Sequence, residues 1–165
     1  MITVYTGVFS KEEQAYIQST LASPRWQFGH ASRLDSPNLF WWMDLEQDTV
    51  FTDHLFGKIQ KLLKDGFKLE RVYANGQTFG QDGDWHKDSD DPDAYTFLYY
   101  ANNGWDTRWR GETVFQIKNK TVSYTPDVNK AIFFPGTVYH YASSPSREFH
   151  GLRMTVAFKL LKCSA

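Results

Sequence analysis

The chain has 165 residues, with 18 Lys and Arg against 19 Asp and Glu for a net charge of −1, and 17% of its residues are aromatic. That length suits one domain that buries a core without disulfide staples, and the aromatic content excludes a disordered chain. The near-neutral charge excludes the general electrostatic pull on phosphate that nucleic-acid binding needs.

Cys163 is the one cysteine, so no internal disulfide can form. No apolar run approaches the ~18 residues of a membrane span, and the start MITVYTGVFS lacks the basic and long apolar regions of a signal peptide. The expectation is a soluble, cytoplasmic single domain over 1–165 with no membrane partner.

Taken in chain order, 2–9 alternates as a short strand. Ser10 with Glu13 three residues on makes a capping box that opens a helix over 11–22. Segment 39–43, Leu-Phe-Trp-Trp-Met, is apolar without clean period, so strand, groove wall and core helix all stay open. Phe51, Leu55, Phe56, Ile59, Leu62 and Leu63 fall at helical spacing, with Gly66 placed as a stop. Beyond it the texture becomes short β-branched and aromatic runs, which predict strands over 68–73, 85–87, 95–100, 113–117, 121–124, 131–134, 138–141 and 152–160. Turn signals such as Asn75-Gly76, Asn103-Gly104 and Pro135-Gly136 punctuate them. The expected fold is mainly β: a cupin-like jelly roll with N-terminal helices packed on one sheet. Residues 1–66 would support a catalytic core over 67–165.

The chemistry centres on His86-Lys87-Asp88, with His140 and Arg153 far downstream. Residues two apart on a strand share a face, so His86 and Asp88 can reach one ion. A distant third ligand completes the two-histidine, one-carboxylate facial triad of non-haem Fe(II) oxygenases, which leaves coordination positions open. A structural zinc site needs four protein ligands, usually including cysteine. Arg153 and Thr155 sit in an apolar terminal strand, where an inward guanidinium makes a bidentate site for a carboxylate. His54 reads as a structural histidine in the second helix, and His30 and His150 as exposed. The acidic residues Asp82, Asp84, Asp90, Asp91 and Asp93 read as a solvated loop.

From Arg71 to Leu160 the chain resembles the Fe(II)- and 2-oxoglutarate-dependent oxygenases, particularly the prolyl 4-hydroxylase branch. The matching pieces are Arg71-Val72-Tyr73, His86-Lys87-Asp88, Thr96-Phe97-Leu98-Tyr99-Tyr100, Trp105-Asp106, Gly111-Glu112-Thr113-Val114-Phe115, Phe133-Phe134-Pro135-Gly136, His140 and Arg153. Their order makes the series more specific than any one piece. The resemblance implies a double-stranded β-helix holding Fe(II) through His86, Asp88 and His140, with Arg153 on the distal carboxylate of 2-oxoglutarate. It implies further cosubstrate contacts at Tyr100, Tyr73 and Thr155, O2 as the oxidant and ascorbate as a reductant. Two departures stand out. The interval from His140 to Arg153 is longer than the family usually shows, which leaves Arg147 as a rival for the cosubstrate. Arg110-Gly111 stands where the family often has two glycines.

The reaction implied is hydroxylation of a C–H bond, with release of succinate and CO2. The expected substrate is a prolyl residue in a peptide or protein, held in a cleft by Trp41, Trp105 and Arg110. Two alternatives stay open: a hydroxylase of a free amino acid or other small molecule, and a catalytically silent jelly-roll binding module.

Overall fold

The structure, a computed structural model, describes residues 1–64 and 66–163. Among them, ten strands form two antiparallel sheets. They are β1 (Thr3–Thr6), β2 (Gln27–His30), β3 (Phe40–Asp44), β4 (Phe67–Gln77), β5 (Ala94–Tyr100), β6 (Thr113–Ile117), β7 (Lys120–Tyr124), β8 (Lys130–Pro135), β9 (His140–Ala142) and β10 (Arg153–Lys162). The larger sheet runs β1-β8-β5-β10-β4-β3-β2 and the smaller β7-β6-β9.

Two helices precede the core strands. In α1 (Lys11–Leu21) the Ser10 hydroxyl accepts from the Glu13 N–H at 3.2 Å, while the Glu13 carboxylate accepts from the Ser10 N–H at 2.7 Å. Two donors that a helix start leaves orphaned are thereby satisfied. The second periodic segment is a π-helical stretch (Val50–Leu55) that continues as α2 (Phe56–Leu63). Lys64, with φ 57°, takes the left-handed conformation at its end in place of the expected Gly66.

The central strands are apolar on both faces, which is why they read as runs without alternation. Phe97 and Tyr99 of β5, with Val156 and Phe158 of β10, pack in one cluster with Ile17 and Leu21 of α1 and with Leu55 and Ile59. Leu98 and Tyr100 of β5 and Ala157 of β10 instead join Phe115, Ile132 and Phe134 in a second cluster. The helices therefore cover one face of the larger sheet, and the other face meets the smaller sheet. Burying one such Phe contributes roughly 1.5–3 kcal/mol.

The structure departs from the sequence expectation in several places. Segment 39–43 resolves to strand β3, paired with β4 through Trp41–Gly76 and Met43–Ala74. β2 was not expected; its pattern is short and mostly exposed, so it carries no alternation to read. Residues 85–87 form no strand but a single bridge, His86 to His140. Between β4 and β10 the register slips after Lys159–Arg71, so that Leu160 faces Leu69. Glu70 is the extra residue of this β-bulge, a feature that re-aims side chains.

Candidate metal centre

His86 and His140 meet across that one bridge. Each backbone N–H donates to the other's carbonyl, at 3.0 and 2.9 Å. Asp88 follows on a loop whose N–H donates to the Gly136 carbonyl at 2.9 Å, so the Pro135-Gly136 turn sets its height. The result gathers one ligand atom each from His86, Asp88 and His140, all within 4.8 Å of one another.

The imidazoles are oriented for a metal. His86 Nδ1–H donates to the Asp84 carbonyl at 2.8 Å, and His140 Nδ1–H to the Val138 carbonyl at 2.9 Å. Both Nε2 lone pairs are thereby left toward Asp88, at 3.4 and 3.7 Å from its oxygens. Such a backbone acceptor fixes the tautomer and strengthens a metal-ligating histidine. Burial pushes the His140 imidazole down to about 4, so it is neutral at pH 7. Burial alone would push the Asp88 carboxyl up, but the Lys159 ammonium beside it outweighs this and holds it well below the usual carboxylate range. Backbone-anchored rings, a neutral His140 and an ionised carboxylate suit a divalent ion, and the donor set fits Fe(II).

Asp88 has two further partners that sequence reading passed over. Lys159 Nζ lies 2.5 Å from Oδ2, and the Thr96 hydroxyl donates to the same oxygen at 2.6 Å. Lys159 also donates to Thr96 at 3.1 Å, which closes a triangle. Burial works against the Lys159 ammonium, yet Asp88 and Tyr73 hold its pKa above the ordinary lysine value. A signal was available: Lys159 lies an even number of residues from Arg153, so strand alternation puts both on one face.

A cavity of about 630 Å³ opens on the triad, and Arg153, Thr155, Tyr73 and Lys159 all line it. Arg153 is fully buried and points its donors at neutral acceptors: the Gly111 carbonyl at 2.7 Å, Gln77 Oε1 at 2.9 Å and the Thr113 hydroxyl at 3.2 Å. Among the described residues it has no carboxylate partner. A buried guanidinium without an anion is costly, so this end of the cavity fits the carboxylate of a ligand such as 2-oxoglutarate. Arg147, its rival, is exposed and does not line the cavity. Asn75 also lines the cavity; its buried Oδ1 has no hydrogen-bond partner among the described residues. Alternation from Tyr73 could have found it.

Other sequence candidates fall elsewhere. Tyr100 is buried behind the cavity wall, its hydroxyl donating to the Tyr124 carbonyl at 3.1 Å and meeting the Thr113 hydroxyl at 2.9 Å. It supports the Thr113 that meets Arg153 and does not line the space itself. Trp41, Trp105 and Arg110 do not line it either. Trp41 packs on Phe28, and Trp105 packs edge-on against Trp109 and tilted against Phe149, and donates to the Arg110 carbonyl at 2.9 Å. Aromatic bulk found partners outside the cleft. Conversely His30, expected exposed, is half-buried and lines the cavity beside Tyr73. Asp84 and Asp82 are tied down as well: Asp84 accepts from Ser36 and Asn38, and Asp82 from the Ser144 N–H. His54 pairs with Glu13 at 2.7 Å, as a structural histidine should.

No protein-family model matches the sequence, and no curated protein matches it. Solved structures do match. An oxidoreductase of the 2OG-Fe(II) oxygenase family from Burkholderia pseudomallei superimposes with a TM-score of 0.77 at 10% identity, over 99% of this chain and 86% of that one. A prolyl hydroxylase from Trichoplax adhaerens, in complex with a hypoxia inducible factor oxygen degradation domain peptide, gives 0.74 at 14% identity, over 98% and 83%. HygX from Streptomyces hygroscopicus, with nickel, 2-oxoglutarate and hygromycin B bound, gives 0.68 at 11% identity, over 98% and 82%. At such identities the likeness is one of fold. The chain has the double-stranded β-helix fold of the 2-oxoglutarate- and Fe(II)-dependent oxygenases, with a His-x-Asp…His group inside it.

Proposed function

We propose that this protein is an Fe(II)- and 2-oxoglutarate-dependent dioxygenase that hydroxylates a C–H bond. One observation carries the reading: a single cavity joins three metal-ready ligands to a buried Arg153 that lacks an anionic partner. His86, Asp88 and His140 would hold the metal. Arg153, steadied by Gly111, Gln77 and Thr113, would hold the far carboxylate of 2-oxoglutarate, with Thr155 and Tyr73 on the wall beside it. Bound together, the metal and cosubstrate supply the oxidising power, one atom of O2 entering the substrate and the other the succinate formed as CO2 leaves. The protein orients the ligands, keeps the His140 imidazole neutral and excludes water. Ascorbate would serve as the reductant that keeps the metal ferrous. The single cysteine supports a reducing, cytoplasmic setting.

For the substrate, the first reading is a prolyl residue in a peptide or protein. It draws on the prolyl hydroxylases among the structural neighbours. A second reading, a free amino acid or other small molecule, is favoured by the position of Trp41 and Trp105 outside the cavity. Iron-loaded protein should release succinate from 2-oxoglutarate in the presence of O2. Incubation with proline-rich peptides or free L-proline, followed by mass spectrometry, should show the gain of one oxygen in the true substrate. No metal or 2-oxoglutarate binding at all would leave only a silent binding module.

A further inference from the structure

Past the triad, at the opposite end from Arg153, the cavity wall is basic in a way the cosubstrate does not explain. The lining carries Arg33, Arg71, Lys87, Arg153 and Lys159 against Glu70 and Asp88, although the chain as a whole has a net charge of −1. In the oxygenase reading Arg153 is answered by the far carboxylate of 2-oxoglutarate and Asp88 by the metal. The dication and the doubly charged cosubstrate then cancel. Of the four cations left over, Arg33 and Lys87 have acidic neighbours outside the lining, Asp35 at 3.5 Å and Asp90 at 3.1 Å.

The other two cations are placed against each other. Lys159 of β10 and Arg71 of β4 are direct cross-strand partners, and both line the cavity. Like charges directly opposite on neighbouring strands are destabilising, so this pair lowers the stability of the ligand-free sheet. Both cations lie near the Tyr73 ring, Arg71 at 5.2 Å and Lys159 at 5.9 Å from its centroid. The β-bulge at Glu70 falls beside them, where such irregularities re-aim side chains. Arg71 pairs with Glu46 at 3.5 Å, with both side chains exposed, so solvent weakens that pair. Lys159, only 18% exposed, has Asp88. When Asp88 gives its charge to a metal, Lys159 is left as a shielded cation beside a dication, and a further anion would restore the balance.

We propose that Lys159 and Arg71 form an anion-binding subsite, and that the molecule oxidised in this cavity is a small one presenting a carboxylate or phosphate to that pair. The inference rests on the oxygenase reading and favours its small-molecule form, since a prolyl residue inside a peptide brings no such group. The half-buried Lys159 supplies a point charge next to the triad, and Arg71 supplies a planar fork toward the mouth. His30, at the end of β2 and beside the Tyr73 ring, adds a neutral donor on the same side.

The test loads the protein with Mn(II) and saturating 2-oxoglutarate and titrates inorganic phosphate, reading the paramagnetic relaxation of its 31P signal. Acetate and free L-proline, read by calorimetry, separate phosphate from carboxylate recognition. Saturable binding in the wild type is expected, weakened roughly tenfold in Lys159→Met and in Arg71→Gln, with 2-oxoglutarate affinity retained. Arg71→Gln touches no triad residue and should melt no lower than the wild type, so it carries the test if Lys159→Met fails to fold. Anion binding unchanged in both variants, or abolished by 2-oxoglutarate, would overturn the proposal. So would a Lys159→Met variant that loses 2-oxoglutarate instead of phosphate. Failure of the wild type to bind metal or 2-oxoglutarate would remove the oxygenase reading; phosphate titrated by calorimetry into Asp88→Asn, where Lys159 has lost its counter-charge, with and without Arg71→Gln, then decides the subsite alone.

Discussion

Arg153 and Lys159 stand on one face of the same strand, six residues or about 20 Å of backbone apart, and both carry shielded charges. They are handled differently. Arg153 is surrounded by neutral acceptors from Gly111, Gln77 and Thr113, so its hydrogen bonds are met while its charge is not. Lys159 is neutralised by Asp88, a group that the metal would claim. The first cation awaits an anion at all times, whereas the second awaits one only when the metal is in place. In the proposed oxygenase reading, a cavity built this way would couple metal, cosubstrate and substrate through charge.

The largest expected effect breaks the Lys159 end. Asp88→Ala should abolish Mn(II) binding by calorimetry and destabilise the metal-free protein by about 3–5 kcal/mol, because Lys159 is left without its counter-charge. Adding Lys159→Met should restore most of the stability and none of the metal binding. If Asp88→Ala alone melts like the wild type, Lys159 and Asp88 are not coupled as described.

At the other end, Arg153→Ala should weaken 2-oxoglutarate binding roughly 100-fold, about 3 kcal/mol, as expected for truncating one partner of a buried charge pair. Arg153→Lys should recover only part, having lost the planar fork, and Arg147→Ala should bind normally. The reverse pattern would move the role to Arg147.

The centre between the two cations responds to acid. An unfolded histidine takes up its proton near pH 6.5, whereas His140 in the folded chain does so only at about 4. The unfolded state therefore binds more protons across that window, and metal-free stability should fall as pH drops from about 6.5 to about 4, by up to roughly 3 kcal/mol. The depressed Asp88 adds a further loss only below its ordinary value of 3.8. Urea melts at stepped pH would show this; a His140→Gln variant should flatten the upper part of the slope.

The smallest effects concern the turn that props Arg153. Gly111 has φ +76°, and a Cβ there would meet Arg153 Cδ at 3.1 Å. Gly111→Ala should lower 2-oxoglutarate affinity several-fold with a stability cost of about 1 kcal/mol. Arg110 beside it sits at φ 58°, ψ −131°, a conformation that glycine adopts without strain. Arg110→Gly should raise the melting temperature by the equivalent of about 1 kcal/mol or less. A lower melting temperature would show that the Arg110 side chain stabilises the turn.

Much of this molecule was legible in its residues, and the limits are physical. The Ser10–Glu13 capping box and the 113–117 strand depend on neighbours a few positions apart, where backbone geometry leaves little choice. Arg153 was readable for a related reason: a guanidinium in an apolar strand must find a partner inside. His86 and Asp88 do meet, but the Pro135-Gly136 turn and not strand alternation brings Asp88 there. What tertiary structure alone decided is pairing at long range. That Lys159 meets Asp88 and faces Arg71 follows from the register of β10 against β4 and its bulge, and a shift of one residue would turn every side chain to the other face. Whether an aromatic fills core or cleft was settled the same way. Trp41 and Trp105 have the bulk and polarity for either role, and only the partners that the fold brought to them, Phe28 for one and Trp109 with Phe149 for the other, took them out of the cavity.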